Sequence, residues 1–367
     1  MSARSVIITT MSLNLGGAET HVVSLAKQLH EEGCQVTVAS SGGQYVPLLH
    51  PIPHVSIPLH SRMPHKLMAG RRRFEKLVNN EACDILHAHG RIPAWVCRNA
   101  GAKMNIPLVT TYHGVYASGF PWKWVTVPGD HTIAVSQDVS EHLQRAFDFS
   151  PQKISIIPNG IDLSLYKPQA KQEAAAQLQL NPDATVISHL SRLDGAFADT
   201  ALCLIQACDQ LLSRWPDLQL VIAGDGNRMA EVRREAQRAR TRVHVLGALV
   251  DTVPVYNSSD VVVAVARTAM EALACQRPVI IAGEGGLVGP LTHANQAALE
   301  EANFTARTLG QALNTEHMAR LLDFVLGHST LREEMAELGR PLIEKKYSIG
   351  AATAAIMEVY EHVIRTH

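Results

Sequence analysis

The stretch Ser5-Val6-Ile7-Ile8-Thr9-Thr10-Met11-Ser12-Leu13-Asn14-Leu15-Gly16-Gly17-Ala18-Glu19 decides the fold class. It opens as a short β-rich run and passes through paired glycines into a segment where Ala18, Val22, Leu25, Ala26 and Leu29 recur at helical spacing. That spacing makes one apolar face, and Gly33 stands where a helix C-cap glycine belongs. A strand that turns through a glycine loop into a helix is the opening unit of a parallel sheet. Free N–H groups and the positive end of the helix dipole suit such a junction to an anion such as phosphate. A tight turn that needs small residues explains the same two glycines. The dinucleotide fingerprint G-x-G-x-x-G is absent, which speaks against a nicotinamide enzyme.

The same alternation continues along the chain. Further strands are expected near Gln35–Ser40, Asp84–Ala88, Leu108–Thr111, His131–Val135 and Lys153–Ile157, then near Thr185–Leu190, Gln219–Ala223, Arg242–Leu246, Val261–Ala266 and Val279–Ala282. Strands alternating with helical patterns mean α/β architecture, with parallel sheets covered by helices on both faces. The 367 residues exceed what one core organises, so two domains are expected. A polar, Ala- and Gln-rich stretch follows Asp162, which places the first domain at residues 1–165 and the second at 166–348. A final helix at 349–367 is a candidate to cross back to the first domain.

Composition excludes several classes. Lys plus Arg (33) nearly cancels Asp plus Glu (34), so no global field attracts nucleic acid. The six cysteines are scattered without a Cys-x-x-Cys pair, as reduced thiols in a cytoplasmic protein would be. No apolar run reaches the length of a membrane span, and Val6-Ile7-Ile8 is too short for a signal-peptide core. One local basic cluster, with Lys66, Arg71, Arg72, Arg73 and Lys76, makes peripheral contact with an anionic inner membrane face an open expectation. A solvated helix face reads the same way.

Several short elements follow one another in a fixed order: Asp84-Ile85-Leu86-His87-Ala88-His89-Gly90, Thr110-Thr111-Tyr112-His113-Gly114, Val135-Ser136 and Ile157-Pro158-Asn159-Gly160-Ile161-Asp162. The second half adds Ser191-Arg192-Leu193, Ala223-Gly224-Asp225-Gly226, Val245-Leu246-Gly247 and Met270-Glu271-Ala272-Leu273-Ala274. In order and spacing the series resembles the retaining glycosyltransferases of family 4, over roughly residues 5 to 365. The resemblance implies the GT-B architecture, two Rossmann-like doubly wound domains facing across a cleft. It implies a nucleoside diphosphate sugar, most simply a UDP-sugar, held mostly on the second domain. The acceptor, a saccharide, lipid or small molecule, would be held by the first. The sugar would be transferred with retention of configuration through an oxocarbenium-like state.

The resemblance also assigns residues. Arg192 would stabilise negative charge on the departing phosphate, which a permanently charged guanidinium does in a bidentate manner. Glu271 would accept hydrogen bonds from the ribose hydroxyls at a helix start, and His113 would align the transferred sugar. Gly16 and Gly17 would offer N–H groups to phosphate or acceptor, while Gly224, Asp225, Leu246, Gly247, Arg267 and Thr268 complete the donor-binding set. His87 and His89, two apart on a strand, share a face and with His113 could in principle chelate a metal. The chain has no Asp-x-Asp pair, and a donor site that needs no metal is the expectation.

Two positions depart from the family pattern. Phe197 stands where relatives carry a lysine five residues after the arginine, and Val263 stands where a glutamate eight before Glu271 is usual. Arg267 is the residue placed to restore the lost positive charge. The loop Gly283-Glu284-Gly285-Gly286 is a candidate for approach to the sugar, and Trp122 and Trp124 for an acceptor groove. The rival to an active transferase is a relative that has lost turnover and serves as a binding partner; a nucleotide-sugar epimerase on the same architecture is a third reading.

Overall fold

A computed structural model describes residues 5–59 and 64–367. By its contacts the chain forms two compact units, one of residues up to Gly160 together with Tyr347–His367, the other Ile161–Lys346.

The first unit contains strands β1 (Ser5–Thr10), β2 (Gln35–Ser40), β3 (His54–Ser56), β4 (Ile85–His89), β5 (Leu108–Tyr112), β6 (His131–Ala134) and β7 (Ile154–Ile156). Its helices are α1 (Gly17–Glu31), α2 (Pro64–Asn80), α3 (Arg91–Met104), the short α4 (Trp122–Val125) and α5 (Gln137–Phe147). The sheet runs in the order β3-β2-β1-β4-β5-β6-β7, with every pairing parallel. Because side chains alternate across a strand, Val6 and Ile8 of β1 enter one core with Val22, Leu25 and Leu29, while Ile7 enters the other with Phe74, Leu86 and Val96. Each fully buried leucine or isoleucine contributes about 1.5–3 kcal/mol. Gly33, at φ +86°, ends α1 in a left-handed conformation that a side chain would strain.

The second unit holds β8 (Val186–Leu190), β9 (Gln219–Ala223), β10 (Arg242–Gly247), β11 (Val261–Ala264), β12 (Val279–Gly283) and β13 (Gly286–Pro290). Between them lie α6 (Lys171–Gln177), α7 (Gly195–Leu211), α8 (Met229–Arg238), α9 (Val253–Asn257) and α10 (Ala266–Ala274), followed by α11 (Gln296–Glu301), α12 (Thr315–Gly327) and α13 (Ser329–Lys346). The sheet order is β10-β9-β8-β11-β12-β13. A last helix, α14 (Ile349–Thr366), belongs to the first unit, where Ile349, Ile356, Tyr360 and Val363 join the α1 side of its core.

Three features depart from the sequence expectation. The strand β3 was not foreseen; it is an edge strand of three residues, too short for an alternation signal. The sheet of the second unit is not wholly parallel, because β13 pairs antiparallel with β12. The segment Gly283-Glu284-Gly285-Gly286 is therefore the tight turn of a hairpin rather than an open loop, and a side chain at Gly285 or Gly286 would collide with the backbone of Ala306 or Gln311. The third is the end of β11: extended pairing stops at Ala264, and Ala266 starts α10 with φ +50°.

Candidate functional site

In both sheets the strand order reverses direction beside the first strand, between β1 and β4 in one and between β8 and β11 in the other. Open α/β sheets bind ligands at the carboxyl ends of their strands at such switch points. The candidate residues fall at these two places, and each unit is described by itself.

In the first unit Gly16 and Gly17 follow β1 and open α1, as read from sequence. The carboxylate of Glu19 folds back against Gly16, so the protein's own negative charge stands at this helix N-terminus. The carbonyl of Gly16 accepts from the backbone N–H and hydroxyl of Thr20, both at 2.9 Å.

At the carboxyl ends of β4 and β5 four histidines gather. His89 and His113 stack with ring centroids 5.2 Å apart, His87 lies 4.3 Å from His89, and His21 of α1 lies 5.8 Å from His113. His113 Nδ1 donates to Asn159 Oδ1 at 2.9 Å, which leaves His113 Nε2 to accept from His89 Nδ1, also at 2.9 Å. Both ring nitrogens of the residue read as aligning the sugar are thus engaged within its own unit. His87 bonds the Tyr360 hydroxyl at 2.6 Å and the Thr111 hydroxyl at 2.7 Å, which uses both of its nitrogens. The three histidines read as candidate chelators therefore spend their nitrogens on one another and on neutral partners, apart from His89 Nε2, which is buried and meets no partner among the described residues. Burial, followed by the charge of His113, pulls the His87 pKa down to about 3. Burial first, then its histidine neighbours, holds His89 well below the usual imidazole range.

In the second unit three neighbouring loops interlock. Ser191 N–H donates to the Ala223 carbonyl at 3.2 Å, Leu193 N–H to Asp225 at 3.0 Å, and Gly224 N–H to Gly247 at 2.8 Å. A side chain at Gly224 would overlap the Ser191 carbonyl, so only glycine lets the two loops approach. Arg192 is held at the end of β8 by this lattice, and its own side chain is exposed without an ion pair among the described residues. Beneath it His189 Nδ1 donates to the Val263 carbonyl and Nε2 accepts from the Ser191 hydroxyl, each at 2.8 Å, which bridges β8 to β11. Asp225 turns its carboxylate onto the Gly226 N–H at 2.8 Å. Leu246 falls at a register break between β10 and β9, the extra residue of a bulge.

Glu271 stands in the second turn of α10 rather than at the helix start expected for it. Its Oε1 accepts from Arg267 Nε at 2.7 Å and its Oε2 from the Tyr256 hydroxyl at 2.7 Å. The pair is nearly dry, with side chains 10% and 6% exposed. Thr268 Oγ1 donates to the Val265 carbonyl at 2.9 Å and closes the first turn. Arg267, the residue placed by sequence to restore the lost positive charge, is thus paired with Glu271 in this structure. Sequence reasoning missed Tyr256, His189 and His21, because none carries a motif. A buried histidine inside the apolar face of α1 was the one signal available for His21.

Elsewhere, Trp122, at the start of α4, is half-buried, with Arg91 lying 5.0 Å from its ring and 4.6 Å from that of Tyr116. A cavity of about 550 Å³ opens at the amino-terminal ends of β5 to β7, beside Arg98, Asp130 and Lys153, and contains none of the candidate residues. Among the described residues no helix is long and apolar enough to cross a membrane.

Two family models match the chain: Glycosyltransferase Family 4 over residues 15–165 and Glycosyl transferases group 1 over residues 184–315. The chain belongs to glycosyltransferase family 4. A D-inositol 3-phosphate glycosyltransferase of Rhodococcus jostii is 26% identical over 237 residues, 56% of this chain and 52% of the relative, so the match spans about half the relative's length. Among solved structures, a glycosyltransferase from Rickettsia africae superposes with TM-score 0.79 at 20% identity, covering 100% of both chains. The Anabaena protein Alr3699/HepE, solved with UDP and glucose, superposes with TM-score 0.78 at 18% identity, covering 97% of this chain and 99% of that one. These likenesses fix the fold as GT-B. Against the family-4 pattern, Phe197 sits half-buried in the first turn of α7 and Val263 is fully buried in β11, so neither position offers a charge to the switch point.

Proposed function

We propose that this protein transfers a sugar from a nucleoside diphosphate sugar, a UDP-sugar in the first instance, to an acceptor hydroxyl, with retention of configuration and without a metal ion. The observation that carries the reading is Arg192, an exposed guanidinium free of carboxylate partners among the described residues, presented where the second sheet reverses. A cation held there by a rigid loop can meet charge developing on the leaving diphosphate, and it needs no reorganisation to do so. In this reading Glu271 is the carboxylate for the ribose hydroxyls, taking them in exchange for a present donor, and the backbone at the Leu246 bulge is the contact for the base. The UDP bound by the Anabaena protein and the acceptor in the Rhodococcus enzyme's name supply the first substrates to try. The test is product analysis by NMR with UDP-, GDP- and ADP-sugars and a panel of saccharide, lipid and polyol phosphate acceptors, with and without magnesium. A retained anomeric configuration without magnesium supports the proposal. Bound nucleotide with no product, for every pair, would favour the rival reading of a binding protein.

We propose further that the first unit touches anionic lipid. Phe120 and Trp124 are 86% and 76% exposed, and Lys66, Arg72, Arg73 and Lys76 of α2 are exposed as well. Arg71 is tied to Glu75 at 2.9 Å and adds less. Sedimentation with phosphatidylserine vesicles, lost in high salt and in Trp124→Ser, tests this; equal sedimentation with neutral vesicles contradicts it.

A further inference from the structure

The first unit has a second concave site, at the opposite end of its strands from the histidines. The cavity of about 550 Å³ lies at the amino-terminal ends of β5 to β7 and is lined by Leu108, whereas His113 follows the carboxyl end of β5. The five residues of that strand separate the two places by about 16 Å.

We propose that this cavity binds a small phosphomonoester. Two carboxylates, one guanidinium and one ammonium line it, and the carboxylates already have partners. Asp130 Oδ2 accepts from the Leu108 N–H at 2.8 Å and stands 3.9 Å from His367 Nδ1, while Asp148 Oδ2 pairs with Lys123 at 3.1 Å. Arg98 of α3 and Lys153, just before β7, are exposed and hold no ion pair or side-chain hydrogen bond among the described residues. The cavity therefore offers positive charge to a ligand. A phosphomonoester carries about −1.5 to −2 at neutral pH, which matches that pair of cations, whereas a carboxylate answers only one of them. The guanidinium fork grips phosphate oxygens in a bidentate manner, and the lysine adds a point charge. Inorganic phosphate alone would leave most of the 550 Å³ unfilled, a volume in the range of small-molecule sites. Ile106, Phe149 and Ile154 give the organic remainder an apolar wall. The site is independent of the donor reading, because every residue that lines it belongs to the first unit.

Soluble sugar phosphates and the headgroup of phosphatidic acid carry the same group, and the experiment separates these sources. Calorimetry uses glucose 6-phosphate, glycerol 3-phosphate and inorganic phosphate; sedimentation uses phosphatidylcholine vesicles containing phosphatidic acid or phosphatidylserine. Each compares the wild type with Arg98→Gln, Lys153→Gln, Asp148→Asn and Arg192→Ala, with thermal melting to certify the fold. Arg98→Gln and Lys153→Gln should each lose on the order of fivefold or more in affinity for the phosphomonoester. Asp148→Asn removes a rim charge and releases Lys123, so it should gain about twofold. An organic ester should bind more tightly than inorganic phosphate. Binding of a soluble ester that falls in the two cavity variants assigns the site to a metabolite. Sedimentation that falls in those variants with phosphatidic acid, and not with phosphatidylserine, assigns it to a lipid headgroup. Either result upholds the proposal. Phosphomonoester binding that is lost in Arg192→Ala and kept in Arg98→Gln and Lys153→Gln belongs to the donor site and overturns it. Equal affinity in the wild type and both cavity variants, or no binding of any probe, overturns it as well.

Discussion

The hydroxyl of Tyr256 donates to Glu271 Oε2 across 2.7 Å, joining a residue that no motif marks to the carboxylate that the motif singles out. Burial, then the nearby Glu271 charge, raises the Tyr256 pKa well above the usual phenol value, so the hydroxyl keeps its proton and remains a donor through the neutral and mildly alkaline range. Tyr256→Phe leaves one buried carboxylate oxygen unsatisfied and should destabilise the protein by about 1.5–3 kcal/mol. Urea unfolding measures this; a change under about 0.5 kcal/mol would mean the bond contributes little beyond its replacement by water.

Ala266 adopts φ +50° at the start of α10, with its N–H donating to the Phe304 carbonyl at 2.8 Å. An L-residue pays about 1–2 kcal/mol in this conformation, and glycine returns part of the gain through its freer unfolded state. Ala266→Gly should therefore stabilise by about 0.5–1 kcal/mol. The reverse experiment, Gly33→Ala, places a Cβ in open space at φ +86° and should destabilise by about 1 kcal/mol from backbone strain alone. Thermal melting of both variants checks the pair of opposite signs.

The histidine cluster sets a pH dependence. His87 and His89 are held neutral when folded, with pKa values below the unfolded imidazole value. The unfolded chain then binds more protons in acid, so their contribution is full above about pH 6.5 and is lost as pH falls below it. The loss should approach roughly 1 kcal/mol per pH unit for each of the two histidines until the folded pKa is reached. For His87 that means down to about 3. Denaturant unfolding between neutral and acid pH reads the slope, and His87→Gln should reduce it by about one proton.

Much of the fold was legible because its strands are the fully buried kind. Runs such as Val186–Leu190, Gln219–Ala223 and Val261–Ala264 are buried along their whole length and read directly as central strands. The edge strands were harder to read. β3 has three residues, and β13 contains two glycines and ends in proline, which signals a turn as readily as a strand. At the candidate site, sequence order placed Arg192, Gly224 and Gly247 side by side, since each stands at or just past the carboxyl end of a strand. It could not show that Glu271 and Arg267 face each other, that Glu19 covers Gly16, or that both nitrogens of His113 are engaged. Those depend on rotamers and on partners distant in the chain, such as Asn159 for His113, which no local pattern encodes.

The central claim is that the second unit binds a nucleoside diphosphate through Arg192, and calorimetric titration of UDP, GDP and ADP into the wild type and Arg192→Ala, without metal, tests it most directly. Because Arg192 is exposed and holds no ion pair among the described residues, the substitution should leave the melting temperature unchanged. One diphosphate should bind the wild type and lose on the order of 2–5 kcal/mol of its binding free energy in the variant. Unchanged affinity in Arg192→Ala, or no binding of any diphosphate to the wild type, would contradict the account.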